Sequence, residues 1–324
     1  MKPFLFALLF LLLPKMIFSQ VLGNKEFALS PNDRLLYTDS MRLETKSKDF
    51  KYIRLIKDYK LNKESYVVLD YYRSGVLEME GTSRTKDGYS FEGERTYYYE
   101  NGAKKTVYNY VKGRANGKDY QWYENGAKRL EGEYIENEKK DILQHKINQF
   151  WDEKGEHKVV DGNGFFEDKG ENASSKGEIK NGFPEGVWEG SFLKLKSTFK
   201  ETYKDGKLIS GESWDENKVS YKYTKVLILP KPKIDMEDFD KYIWKNYRLP
   251  NLLPDGAKGK VFVRFIVDAD GRVVEPRVLR DIGYGTGQEA IRILTNYDGF
   301  RPAEYRGQKV KFIYSLPIAI KGSN

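Results

Sequence analysis

Three times in the chain a pair of aromatic residues is followed, after two intervening residues, by glycine. The copies are Tyr71-Tyr72-Arg73-Ser74-Gly75, Tyr98-Tyr99-Glu100-Asn101-Gly102 and Trp122-Tyr123-Glu124-Asn125-Gly126. Gly102 and Gly126 are 24 residues apart. Aromatic pairs suit the end of a half-buried strand, and Asn-Gly readily takes the positive φ of a tight hairpin. A chain that repeats this unit is restricted to a stack of hairpins growing along one axis, each touching its neighbours and needing a cap at either end. Weaker copies stand at Phe150-Trp151 with Gly155, at Val187-Trp188-Glu189-Gly190 and at Tyr203-Lys204-Asp205-Gly206-Lys207. The pattern predicts an array over residues 66–225. Before it lies a β-rich segment, 20–65, with strand bias at Asp49–Ile56 and, where the array begins, at Tyr66–Asp70. After it, Val226–Leu229 ends the array, and Pro230-Lys231-Pro232 predicts a short stiff linker over 226–235.

Composition supports a packed core and narrows the chemistry. Of 324 residues, 39% are hydrophobic and 15% aromatic, enough to fill the interior of two or three domains. The 56 basic and 48 acidic residues leave a net charge of +8, but the charges are interspersed and read as a solvated surface, with no nucleic-acid motif. Cysteine is absent, which excludes disulfides, thiol chemistry, cysteine metal sites and a lipobox-type anchor. At the N-terminus, Lys2, the apolar run Phe4–Leu13, the Pro14-Lys15 break and Ser19 predict a secretory signal over 1–19, cleaved to start the mature chain at Gln20. The competing reading, a retained inner-membrane anchor, meets an apolar run well short of the ~20 residues a spanning helix needs.

Residues 236–324 predict a two-layer α+β domain. Lys260–Val267 alternates so that Val261, Val263, Phe265 and Val267 share one face. Asp268-Ala269-Asp270-Gly271 turns the chain into Arg272-Val273-Val274 and on to Val278-Leu279, giving a hairpin. Thr286-Gly287-Gln288-Glu289 has the form of a capping box before a helix with Ala290, Ile291, Leu294 and Tyr297 on one stripe, ended by Gly299 and Pro302. A shorter amphipathic helix carries Phe239, Tyr242, Ile243 and Tyr247. Last, Val310, Phe312, Tyr314, Leu316, Ile318 and Ile320 alternate with polar positions, and Pro317 marks this third strand as an edge.

These motifs, in the order Gly259-Lys260-Val261, Val267-Asp268-Ala269-Asp270-Gly271-Arg272-Val273, Glu289-Ala290, Phe300-Arg301-Pro302, Gly307 and Leu316-Pro317-Ile318, with Leu249-Pro250 upstream, resemble the C-terminal domain of TonB, the periplasmic energy transducer. Departures are Leu249 where the family has Tyr, Gly287 where it has an acidic residue, and Phe300 where it has Trp. The repeats, with Asn101-Gly102-Ala103-Lys104 and Asn125-Gly126-Ala127-Lys128, resemble MORN-type repeats and their Tyr-Tyr-x-x-Gly-Lys variant in antitoxin-like proteins. The first resemblance implies binding by strand addition, the third strand meeting an extended segment of an outer-membrane TonB-dependent receptor or another envelope protein. The candidate edge is Val310, Lys311, Phe312, Ile313, Tyr314, Ser315 and Leu316, and the competing use of that edge is pairing within the domain or with a second copy as a homodimer. The family's anchor histidine and proline-rich spacer are missing, which speaks against a complete energy transducer.

Other candidate sites have structural explanations. His145 and His157 lack the spacing of a metal site and read as surface residues. Asp268–Gly271 resembles a calcium loop, but Leu279 stands where the loop's glutamate belongs. Gly283–Gly287 at a helix start suits an anion, yet neither a P-loop lysine nor a βαβ unit accompanies it. Tyr98, Tyr99, Trp122, Tyr123 and Trp151 have the shape of a stacking platform and read instead as the array's own core. The sequence therefore predicts a mainly β protein, a hairpin-repeat sheet followed by a three-stranded antiparallel sheet with two helices. It predicts no enzyme, no cofactor, no metal and no nucleic acid. The functional expectation is a periplasmic protein binding an envelope partner in TonB-dependent transport. The alternative is a repeat-based binding protein, of envelope surface or inhibitory partner, whose last domain only caps or dimerises it.

Overall fold

The computed structural model describes residues 18–22, 25–40, 42, 44–86, 88–136, 143–170, 172–248 and 253–321. The chain is mainly β, a long antiparallel sheet of hairpins and a C-terminal three-stranded sheet with two helices. It divides into two compact units, 1–160 and 161–324. Most of the predicted signal, residues 1–17, lies outside the described residues, whereas Phe18–Leu22 (β1) pairs with Lys25–Leu29 (β2).

In the first unit ten strands follow in chain order. They are β3 (Arg34–Thr38), β4 (Tyr52–Ile56), β5 (Tyr66–Tyr72), β6 (Leu77–Ser83) and β7 (Phe91–Tyr98). The run continues with β8 (Lys104–Val111), β9 (Arg114–Trp122), β10 (Lys128–Glu136), β11 (Leu143–Trp151) and β12 (His157–Val160). Strand β4 is buried on both faces, which period-two geometry turns into two cores. Ile53 and Leu55 pack with Tyr71 on one side, while Val68, Met79 and Phe91 form the other. Arg54 lies in register with Asp70 and donates to it twice, Nε to Oδ1 at 2.7 Å and Nη2 to Oδ2 at 2.8 Å. This fork-to-fork pairing is the geometry that lets a buried guanidinium keep its charge.

The repeated aromatic-glycine motif forms the same turn each time. The Tyr99 amide donates to Ala103 O and the Gly102 amide to Tyr99 O; Tyr123 and Gly126 repeat the pattern with Ala127, and Tyr72 and Gly75 with Val76. Gly75, Gly102 and Gly126 sit at φ 87, 86 and 83, where a Cβ collides with the following backbone, so glycine is needed for conformation. The tyrosine hydroxyls then link successive turns. Tyr72 donates to Tyr98 O at 2.8 Å, Tyr99 to Trp122 O at 2.9 Å and Tyr123 to Trp151 O at 2.8 Å. At the next turn Asp152 takes the tyrosine's place, its amide bonded to Glu156 O and its carboxylate capping the Lys154 and Glu156 amides.

In the second unit six strands again follow in chain order. They are β13 (Asn163–Lys169), β14 (Ala173–Lys180), β15 (Phe183–Phe192), β16 (Ser197–Lys204), β17 (Lys207–Trp214) and β18 (Ser220–Tyr223). Mid-strand glycines make hollows that the next strand's aromatic ring fills. A Cβ on Gly177 would fall 2.4 Å from the Trp188 ring, on Gly190 2.6 Å from Phe199, and on Gly211 2.3 Å from Tyr223. Val187–Gly190, expected as a late turn, thus runs through the middle of β15, and Gly190 serves packing rather than turning.

The expected linker is paired with the last domain. Leu227–Ile228 (β19) and Lys231–Pro232 (β20) lead to helix α1 (Met236–Asn246). Next come β21 (Lys258–Val267), β22 (Val273–Arg280) and helix α2 (Thr286–Thr295). Strands β23 (Phe300–Arg301), β24 (Ala303–Tyr305), β25 (Gln308–Val310) and β26 (Phe312–Lys321) end the chain. Strand β19 pairs with β24, and β20 with β23. The domain core joins Phe239 and Ile243 of α1, Val261, Val263, Phe265 and Val267 of β21, Ala290, Ile293 and Leu294 of α2, and Leu316, Ile318 and Ile320 of β26. Ile291, placed on the helix stripe by its spacing, is only partly buried, and Ile293 takes the deeper position.

Candidate functional site

The three-stranded sheet runs β22-β21-β26, so that β26 pairs with β21 alone and its other side is open among the described residues. Ten residues are in register, from Val267 opposite Phe312 to Lys258 opposite Lys321. Alternation sends Phe312, Tyr314, Leu316, Ile318 and Ile320 toward the helices. Ile313, Ser315, Pro317 and Ala319 then share the outer face with Ile266, Arg264, Phe262 and Lys260. Ile313 is 44% exposed. An open edge presents unpaired amides and carbonyls to any extended chain, and Pro317 removes one donor from it.

Of the seven candidate residues, Phe312 to Leu316 lie in this strand. Val310 does not. It ends β25 opposite Ala303, and Lys311 is the single residue between the two strands. The alternation of Val310 with Phe312 continues across the break, which is why spacing alone merged them.

The helix entrance also differs from its sequence reading. Thr286 is the first helical residue rather than the cap, and its hydroxyl donates back to Gly283 O. Glu289 accepts from the Arg248 amide and from Arg292 instead of closing a capping box. The cap position belongs to Gly285 at φ 85, and Asp281 supplies the missing acceptor, taking the Gly283 and Gly287 amides at 3.2 Å each. An internal carboxylate therefore occupies the place an anion would take. At the β21–β22 turn Asp268 Oδ1 accepts from the Asp270 and Arg272 amides, and a Cβ on Gly271 would fall 2.2 Å from Phe300 O. Glycine therefore lets this turn pass close to the Phe300 carbonyl, and its aspartate is engaged as an internal acceptor.

Neither histidine is simply solvated. His145 Nε2 lies 2.7 Å from Asp119 Oδ1, and its ring stacks on Tyr134, whereas His157 stacks on Trp151 and bonds Gln149. Asp119 is fully buried. A Cβ on Gly132 would fall 2.5 Å from His145 Nε2, so that glycine opens the path between histidine and aspartate. Among the described residues no group of three His, Asp or Glu is placed to hold a metal.

Sequence reasoning missed a buried polar site within the second unit. The β24–β25 turn carries Arg306 at φ 51 and Gly307 at φ 78, and Arg306 reaches into the face of β16–β18. Its Nε donates to Glu201 Oε1 at 2.8 Å and its guanidinium lies 3.6 Å over the Phe199 ring. Glu201 also accepts from Tyr203 and Tyr223. The Arg306 carbonyl accepts from Ser213 Oγ at 2.7 Å, and Gln308 Nε2 donates to the same hydroxyl. Burial works against the guanidinium charge, but the Glu201 carboxylate more than offsets it and holds Arg306 above its ordinary value. The sequence signal was an Arg-Gly pair at a hairpin tip and a lone Glu among the aromatics of β16, neither conspicuous in isolation.

With this geometry in hand, the comparison with known families is specific to one segment. Residues 254–320 match the family model of the Gram-negative bacterial TonB protein C-terminal. No curated protein matches the chain. The matched segment of the TonB-like domain includes β21, β22, α2 and β26, while α1 completes its core from outside the match, and Glu201, Ser213 and Tyr223 also lie upstream. Among the described residues no helix is long and apolar enough to cross a membrane.

Proposed function

We propose that the chain is a non-catalytic envelope protein that binds an extended segment of an outer-membrane TonB-dependent receptor, or of another envelope protein, alongside β26. The observation that carries this reading is a strand that, among the described residues, is paired on one side only, within a segment that matches the TonB C-terminal family. Strand addition draws affinity from main-chain hydrogen bonds and selectivity from alternate side chains. Here those alternate positions are Ile313 and Ser315, with Ile266 and Arg264 behind them on the same face. The periplasm after cleavage of the leader is the compartment this function requires.

A second reading is favoured by the Arg306–Glu201 contact. MORN-like repeats would then form the binding surface, and the last domain would cap them, its β24–β25 turn clasped by β16–β18. A photo-cross-linker at Ile313 in cells separates the two. Capture of a receptor's extended segment, lost on Ser315→Pro, supports strand addition. Cross-links confined to this chain's own residues overturn it and leave the capping role.

A further inference from the structure

One face of β13–β18 carries, among its charged residues, one row with a charge on every strand: Glu167, Lys176, Glu189, Lys200, Glu212 and Lys222. Each stands in register with the next, so the sign alternates across all six strands. Lys200 Nζ lies 3.5 Å from Glu189 Oε1, and Lys176 Nζ 4.0 Å from Glu189 Oε2, with side chains about half exposed. Pairs of this kind contribute at most about 1 kcal/mol each. Like charges directly opposite would be unfavourable, so within one chain the row specifies register.

The same row is its own complement when reversed. A two-fold axis parallel to the strands and passing between β15 and β16 sets Glu167 against the partner's Lys222, Lys176 against the partner's Glu212 and Glu189 against the partner's Lys200. An axis along the row would set like against like. The neighbouring row on this face, two residues along each strand, includes Ser174, Ser191, Thr198 and Trp214 in register. On reversal small Ser174 meets the partner's Trp214, and Ser191 the partner's Thr198. These four residues line an open groove of about 480 Å³, and the indole is the bulk available to fill it. Six strands about 4.8 Å apart and about eight residues long span on the order of 750 Å², close to the ~800 Å² per partner of a standard interface.

We propose that this face binds a second copy of the chain about that axis, an isologous dimer held by reciprocal Glu–Lys contacts and the Trp214 pair. The proposal is independent of the β26 edge.

Sedimentation velocity on the full chain tests it through charge reversal. The wild-type chain is expected to dimerise at micromolar concentration. Glu189→Lys and Lys200→Glu, which each bring like charges together at two symmetry-related places, should weaken self-association at least tenfold. An equimolar mixture of the two should recover it, because each reversed residue then faces its opposite. A wild-type chain that stays monomeric at 100 µM (~10⁻⁴ M, beyond any affinity of ordinary biological use), single variants that dimerise unchanged, or a mixture no stronger than its components overturns the proposal. Should circular dichroism show a reversal variant unfolded, Trp214→Ser replaces it. Loss of the dimer then supports the interface and retention refutes it.

Discussion

Arg306 is where one side chain decides most. Its partner Glu201 is 2% exposed and has Tyr203 and Tyr223 as further donors, so removing the guanidinium leaves a buried carboxylate with two hydroxyl donors and no opposite charge. Breaking a buried pair from one side costs about 3–5 kcal/mol. Arg306→Ala is expected to lower the urea midpoint of the second unit accordingly, whereas Arg306→Lys, which cannot form the fork or lie flat on Phe199, should recover only part of it. In the first unit Glu78 accepts from Arg42 Nη2 at 2.9 Å, but its other carboxylate oxygen is buried without a partner. Burial pushes the Glu78 carboxyl up, against the opposing pull of Arg42. A folded-state pKa above the unfolded one means that the native chain holds the proton more tightly, so this group's contribution is most favourable in acid. It declines as pH rises from the unfolded value through the raised folded one. Denaturant titrations from pH 4 to 8 should show that decline in the wild-type chain and a flatter profile in Glu78→Gln.

The hairpin is the element that the repeats build, and its tyrosine carries the link to the next. Tyr99→Phe removes one hydroxyl and leaves the Trp122 carbonyl with one donor fewer. Such a bond is worth about 1 kcal/mol, and the loss should appear as faster amide exchange at the Tyr123–Ala127 turn with the Tyr72 link unchanged. Mid-strand glycines belong to the same scale. Gly177 lies directly under Trp188, so Gly177→Ala forces the indole off its seat, an overpacking cost of about 1–3 kcal/mol, read out by thermal unfolding and by tryptophan fluorescence. Register is an element property as well. The alternating Glu and Lys row gives each strand of β13–β18 a penalty for slipping by one residue, since a slip would carry the row to the opposite face.

At the scale of the whole molecule, the second unit joins two kinds of fold. The TonB-like domain follows the repeat strands without a free spacer, because β19 and β20 pair within it and the β24–β25 turn enters the β16–β18 face. Hydrogen exchange is therefore expected to place Ser197–Tyr223 and Ala303–Val310 in one protection class, and Arg306→Ala should separate them into two. Two independent classes in the wild-type chain would contradict this coupling. An edge held in this way is pre-oriented, which lowers the ordering cost of strand addition if the edge takes a peptide.

Local pattern was enough for much of this. Period-two runs such as Val261–Val267, the Tyr-x-x-Gly turns and the Asp268–Gly271 hairpin depend on contacts within a few residues, and a sequence displays such contacts directly. The break at Lys311, the Asp281 acceptor at the helix entrance, the His145–Asp119 pair and the Arg306–Glu201 pair are set by how the chain is laid out in three dimensions, the two pairs by strands brought into register. The last of these spans 105 positions of chain, and no spacing rule reaches so far. The same holds for the six alternating charges: their signs are written in the sequence, but only strand pairing lines them up in one row on one face.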